Sequence, residues 1–281
     1  MLVNFLMSDG VDTNEVIQQT IKMIGVNLTF VALVGPLAFG LLIVLFWVKF
    51  VQGQSITSLT TSRTKIDWKR IFFSFFLWGS ITTLLILGLY FTQPENFVWN
   101  FNPKKFFIFL VLAVVLVPMQ TSFEEYLFRG HMMQGIGLAT NSRLIPLIIT
   151  SVLFGLMHIA NPEVEKIGYI IMLYYIGTGF FLGIMTLMDE GLELALGFHA
   201  ANNLVGALLL TADWTAFQTN SILKDLSEPS AGFDVLTPVF VIFPILLLIF
   251  SKVYGWNNWK EKLTGKLIEN NKEIDFDDSK L

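Results

Sequence analysis

Thr121-Ser122-Phe123-Glu124-Glu125-Tyr126-Leu127-Phe128-Arg129-Gly130-His131 follows the almost unbroken apolar run from Phe106 to Met119. Glu124, Glu125, Arg129 and His131 therefore stand where hydrophobicity puts the chain at or near membrane depth. An ionised side chain at the centre of a membrane helix costs roughly 2.5–3.5 kcal/mol on insertion scales, so a cluster of four such groups marks function. The remainder of the chain is interpreted around this cluster.

Of its 281 residues, 54% are hydrophobic and 14% charged, against about 25% charged in soluble domains. This is the composition of an integral membrane protein, whose first partner is the lipid bilayer. A net charge of −4 without any Lys/Arg-rich tract argues against nucleic acid as a partner. The absence of cysteine removes disulfides, thiolate metal sites and cysteine nucleophiles together. Histidine chemistry must come from His131, His158 and His199. Asp9, Asp12 and Glu15 precede the first apolar run and no small-residue cleavage site follows it, so no signal peptide is expected. The spacing of Val11, Ile17, Ile21 and Ile24 suggests a short interfacial helix over Val11 to Val26.

Spanning about 30 Å of hydrocarbon takes roughly 20 helical residues. Segments of that kind are Leu28 to Phe50, with a possible kink at Gly35-Pro36, and Ile71 to Phe91. A third runs from Phe106 through Pro118 into the carboxylates, and a fourth from Leu144 to Ile159, stopping before Asn161-Pro162. The others are Ile167 to Met188, with Gly177, Gly179 and Gly183 for close helix contacts, Leu192 to Leu210 and Val235 to Tyr254. The expected fold is all-α: a polytopic transmembrane helical bundle of about seven spans (six to eight) around a central polar cavity. Residues 1–105 would hold the interfacial segment and two spans, 106–210 the functional core, and 211–281 an outer loop, the last span and a polar tail, disordered beyond Glu269. Arg63, Lys65, Lys69 and Arg70, with Lys252, Lys260, Lys262 and Lys266, assign their loops to the cytoplasm, and the acidic stretch Thr211 to Asp234 to the other side.

Within the core, the turn near Ala139-Thr-Asn-Ser142 is the tip of a helical hairpin. Counting 17 positions either way from residue 141 reaches Glu124 and His158, so an antiparallel pair sets an acid and an imidazole at similar depth. Glu125 and Arg129, at i and i+4, share a helix face and can pair, whereas Glu124 is rotated by about 100° and can point into a cavity. His199 and Asn203 are a second i, i+4 pair in Gly197-Phe-His-Ala-Ala-Asn-Asn203. Glutamate with histidine is suited to deprotonating water; imidazole and carboxamide are suited to holding an oxyanion. By the same chemistry Glu124, His158 and His199 could supply a two-His, one-carboxylate zinc site. No H-E-x-x-H occurs, which excludes a zincin. A proton-coupled transporter could also use buried Glu and His, though no internal symmetry supports it.

Glu124-Glu125-x-x-x-Arg129, Phe154-x-x-x-His158 and His199-x-x-x-Asn203 match in order the three motifs of the CPBP family. That family comprises the intramembrane proteases related to the type II CAAX prenyl endopeptidase and includes bacterial Abi or bacteriocin self-immunity proteins. The resemblance covers about residues 106 to 210. It implies a membrane peptidase acting on a membrane-associated peptide or protein, with Glu124 as general base and His158 its partner in activating water. His199 and Asn203 would stabilise the oxyanion, Glu125 and Arg129 would support, and no cofactor or metal would be required. The implied location is a bacterial inner (plasma) membrane, with the site towards the cytoplasm. A non-catalytic scaffold or immunity protein of the same fold is the alternative.

Overall fold

The fold comes from a computed structural model, which describes residues 12–229 and 231–267. Helix α1 (Thr13–Ile24) starts where the Asp12 side chain accepts the N–H groups of Asn14 and Glu15, and stops at Gly25, whose φ of 83° suits a residue without Cβ. Asp12 to Ile24 falls within the interfacial helix read from the sequence; Val11 and the tail beyond Leu267 lie outside the described residues. Helix α2 (Val26–Phe46) runs through Pro36 and ends in a π-helical turn, Trp47–Val51. After the one-turn α3 (Ile56–Thr60), α4 (Trp68–Thr92) begins on the side-chain cap of Asp67.

Helix α5 (Pro103–Glu125) begins with proline at its first position, where a missing N–H does no harm, under a cap from Asn102. It passes Pro118 and widens into a seven-residue π-helical stretch, Tyr126–Met132, before continuing as α6 (Met133–Thr140). Asn141, in the left-handed region at φ 47°, reverses the chain into α7 (Leu144–Leu156). The short α8 (Pro162–Ile167) leads to α9 (Ile171–Asp189), α10 (Glu193–Leu209), α11 (Phe233–Thr237), α12 (Phe243–Tyr254) and α13 (Trp259–Thr264).

Among the described residues, five stretches are long and apolar enough to cross a membrane: Val26–Val51, Trp68–Thr92, Pro103–Thr140, Ile171–Asp189 and Val235–Tyr254. The 13-residue α7 and the 17-residue α10 are shorter and complete the bundle, α7 against α9 and α10 against α4 and α5. The fold is thus an all-α polytopic membrane bundle. Phe39, Phe72, Phe76, Phe107 and Val111 turn outward, as side chains facing lipid do. Trp78, Phe181, Phe198 and Phe243 form the aromatic heart, with Phe181 stacked on Phe243 at 4.5 Å and Trp78 on Phe198 at 4.7 Å.

Glycine allows the closest crossings. A Cβ on Gly179 would stand 2.5 Å from the Ser151 carbonyl of α7, and one on Gly197 would collide with the Ile71 carbonyl of α4. The α9 glycines therefore do make the close helix contacts expected of them.

Two expectations are corrected. The fourth span ends at Leu156, Met157 to Ala160 form a turn, and Pro162 opens α8 instead of merely stopping a helix. The stretch after α10 is not plain loop: β2 (Leu210–Thr211) and β3 (Leu223–Asp225) join β1 (Phe97–Trp99) in the order β1-β3-β2. The strands sit past the C-terminal ends of α4 and α10, where the chain turns between helices.

At the opposite end, Asp189 closes α9 in a buried ion-pair knot. Arg63 Nη2 lies 3.0 Å from its carboxylate, Arg70 Nη1 also reaches it, and the Trp256 indole N–H donates to it at 3.1 Å. Arg63 Nη1 further pairs with Glu193 at 3.2 Å.

Candidate active site

Helix α5 carries Glu124 and Glu125 at its last turn, and the π-helical stretch that follows carries Arg129. π-Turns are rare and concentrate at functional positions. Arg129 is turned wholly inward: its side chain and that of Glu125 have 0% exposure. Nη1 donates to Glu125 Oε1 at 3.1 Å and Nη2 to the Gly179 carbonyl at 3.1 Å. The guanidinium carbon lies 4.3 Å from the Phe154 ring centre. The expected Glu125–Arg129 pair is present, in the protein interior.

Glu125 is shared with a second partner. His199, on α10, has Nδ1 2.7 Å from Glu125 Oε1. An ionised carboxylate can only accept, so Nδ1 carries the proton and Nε2 faces the other way. There Nε2 lies 3.5 Å from Glu124 Oε2. The imidazole is thereby held between two carboxylates. Oε2 of Glu124 is buried without a hydrogen-bond partner, and so is Oε2 of Glu125.

His158 does not sit on a helix body. It falls in the turn after α7, half-buried, with Nδ1 2.8 Å from the Phe154 carbonyl. A carbonyl accepts, so Nδ1–H donates and Nε2 keeps its lone pair. Tyr175 stacks on the ring at 4.5 Å and 21°. Phe154 stands between the two imidazoles, 5.1 Å from His158 and 5.8 Å from His199. Phe154 is thus the side chain that links His158 to the Glu125–Arg129–His199 group.

Asn203 lies one turn beyond His199 and donates Nδ2–H to Gln120 Oε1 at 3.3 Å. Gln120, one turn before Glu124, in turn donates to Glu124 Oε1. The structure therefore gathers Glu124, Glu125, Arg129, His158, His199 and Asn203 into one cluster. Gln120, Tyr175 and Trp78 are the members that charge alone does not reveal. A neutral amide or an aromatic ring inside an apolar helix raises no alarm in hydropathy; the i, i+4 spacing of Gln120 and Glu124 was the available signal.

Among the described residues no three His, Asp or Glu side chains converge as a metal-holding group. Glu124, His158 and His199 nevertheless present Oε2 and two Nε2 atoms, the donor types zinc takes. A hollow of about 500 Å³ is lined by Arg129 together with Leu59, Met133, Gly137, Pro146, Thr186 and Leu192. Outside the cluster, Glu163 on α8 accepts the Ala216 N–H at 2.9 Å, and burial pushes its carboxyl above the ordinary carboxylate range.

Residues 103–205 match the family model described as type II CAAX prenyl endopeptidase Rce1-like. This interval contains every residue of the cluster except Trp78. The chain is also 29% identical over 219 residues to the uncharacterized protein YyaK of Bacillus subtilis (strain 168), a match covering 76% of this chain and 71% of that one. No solved structure matches.

Proposed function

We propose that this protein, whose residues 103–205 match the type II CAAX prenyl endopeptidase Rce1-like family model, is an intramembrane endopeptidase. It hydrolyses a peptide bond in a membrane-associated protein or peptide by carboxylate-activated water. The observation that supports this most directly is the buried Oε2 of Glu124, without a hydrogen-bond partner and 3.5 Å from His199 Nε2. The family match supports a membrane protease role in general terms, and the finer assignments below are our reading.

Water sits between Glu124 Oε2 and the His158 Nε2 lone pair. As its oxygen attacks the scissile carbonyl, its proton passes to Glu124 Oε2, and the carbonyl oxygen becomes an oxyanion. Asn203 has one Nδ2–H left after its bond to Gln120, and this donates to the oxyanion. His199 can contribute only as imidazolium: Nδ1–H is engaged by Glu125, so an Nε2–H exists only when the ring holds both protons. Glu125, itself held by Arg129, offsets that positive charge. On collapse the C–N bond breaks, and the proton on Glu124 moves to the leaving amine.

No step of this route passes through a metal, although the atoms at the site are of a kind zinc would accept. The Lys/Arg bias of the loops supports an orientation with the site towards the cytoplasmic side. The deciding experiment compares wild type and Glu124→Gln, purified in nanodiscs, on quenched fluorescent membrane peptides with and without a strong chelator. Cleavage should fall by roughly 10²–10⁴-fold in the variant, the usual worth of a general base, and be indifferent to the chelator. Full activity of Glu124→Gln refutes the mechanism; activity lost to chelator and restored by zinc moves Glu124, His158 and His199 into ligand roles.

A further inference from the structure

A chain of side-chain hydrogen bonds runs from α4 to the reactive carboxylate. The Trp78 indole Nε1–H donates to Asn202 Oδ1 at 3.0 Å, and Asn202 Nδ2–H donates to Asn203 Oδ1 at 3.1 Å. Asn203 Nδ2–H donates to Gln120 Oε1 at 3.3 Å, and Gln120 Nε2–H donates to Glu124 Oε1. Three carboxamides thus lie in series between an indole and a carboxylate.

The two ends of this series are not interchangeable. An indole N–H can only donate, and an ionised carboxylate can only accept, whereas each carboxamide offers both faces. Trp78 therefore forces the oxygen of Asn202 towards itself, which turns the Asn202 amide nitrogen towards Asn203. The same logic passes through Asn203 to Gln120 and presents an N–H to Glu124. The Tyr174 hydroxyl also lies beside Asn202, but it can donate or accept and so does not set the direction. Trp78 is well suited to anchor the series, being buried and stacked on Phe198 at 4.7 Å.

We infer that Trp78, Asn202 and Gln120 are positioning residues that fix the polarity of this relay and thereby choose which oxygen of Glu124 acts as base. The inference rests on the proposed role of Glu124. With Oε1 occupied by Gln120 N–H, Oε2 is the oxygen left to take the proton from water, on the side facing His199 Nε2. The same polarity orients Asn203, whose amide must point its nitrogen inward to serve both Gln120 and an oxyanion. If Asn202 were free to flip, Asn203 could flip with it and present an oxygen to the oxyanion.

The test uses the full chain in nanodiscs and four proteins: wild type, Trp78→Phe, Gln120→Met and the double variant. Trp78→Phe keeps an aromatic ring against Phe198 and removes only the donor; Gln120→Met keeps the length and removes the amide. Each single change should lower kcat for a quenched membrane peptide by roughly 10-fold or more with KM little moved, and the double should be no worse than Gln120→Met alone, as for groups that act as one unit. Losses that multiply, or Trp78→Phe at wild-type kcat, overturn the relay. A second readout does not need turnover. The carboxylate stretch of Glu124, isolated by infrared difference against Glu124→Gln, should shift in Gln120→Met and, in the same sense, in Trp78→Phe. An unmoved band in Trp78→Phe overturns the relay even if no peptide is cleaved, whereas a shifted band without cleavage leaves the relay standing and the peptidase reading in difficulty.

Discussion

Arg129 shows how much of this site is decided by single side chains. Its charge is fully buried, and what makes that tolerable is Glu125 at 3.1 Å, the Gly179 carbonyl and the Phe154 ring face. Breaking one half of a buried pair strands the other, at a cost of about 3–5 kcal/mol. Arg129→Met should therefore destabilise the protein strongly. Because Glu125 also holds His199, the variant should lose cleavage as well. Adding Glu125→Gln to Arg129→Met removes the stranded charge and should restore part of the stability but none of the activity. Thermal unfolding in nanodiscs beside the peptide assay separates the two; equal melting of the single and double variants would show that Glu125 is not the stranded partner. These charges were legible in the sequence because carboxylates and a guanidinium stand out in an apolar run. Gln120, Asn202 and Trp78 were harder to assign because an amide or an indole is ordinary in a membrane helix, and only their mutual geometry gives them a role.

Among the elements, the short α8 is pinned by Glu163, whose Oε1 accepts the Ala216 N–H while Oε2 is buried without a partner. Burial raises its carboxyl above the ordinary value of 4.5, against the lowering effect of the backbone hydrogen bonds. A raised value in the fold means that the folded protein binds the proton more tightly than the unfolded chain. That contribution to stability is fully present below about pH 4.5 and is lost as pH climbs through the raised value. Glu163→Gln keeps the acceptor for Ala216 and cannot ionise. The melting temperature of wild type relative to the variant should therefore fall as pH rises from 4.5; a difference constant with pH would refute the assignment. Helix existence and type were readable from apolar length, and the α5–α7 hairpin from its turn residues. The three strands were not: two or three residues give no period, and β1 meets β3 only across more than a hundred intervening residues. The early end of α7 was hidden for a similar reason, since Met157 and Ile159 keep the apolar character of a helix that has already stopped.

At the scale of the molecule, Asp189 ties the loop before α4, the first turn of α4, the end of α9 and the segment before α13 into one knot through Arg63, Arg70 and Trp256. Composition gives those arginines a place near a membrane face; only the fold shows that two of them turn inward. Asp189→Asn leaves Arg63 with Glu193 and Arg70 with Asp67 as their remaining counter-charges, so the loop holding Arg63 and the first turn of α4 holding Arg70 should loosen. Limited trypsin digestion should then cut after Arg63 or Arg70 at least several-fold faster than in wild type, and an unchanged cutting rate would show the knot to be redundant. The π-helical stretch Tyr126–Met132 has a consequence of another kind. It sits inside an unbroken helix of 38 residues, so nothing downstream can absorb a change in the number of residues. Removing one residue there would rotate the helix beyond it by about 100°, carrying Arg129 or the whole α6–α7 hairpin off its partners. Many lipid-facing positions of this rod can change their letter, but across these seven codons the gene has no freedom to change its count.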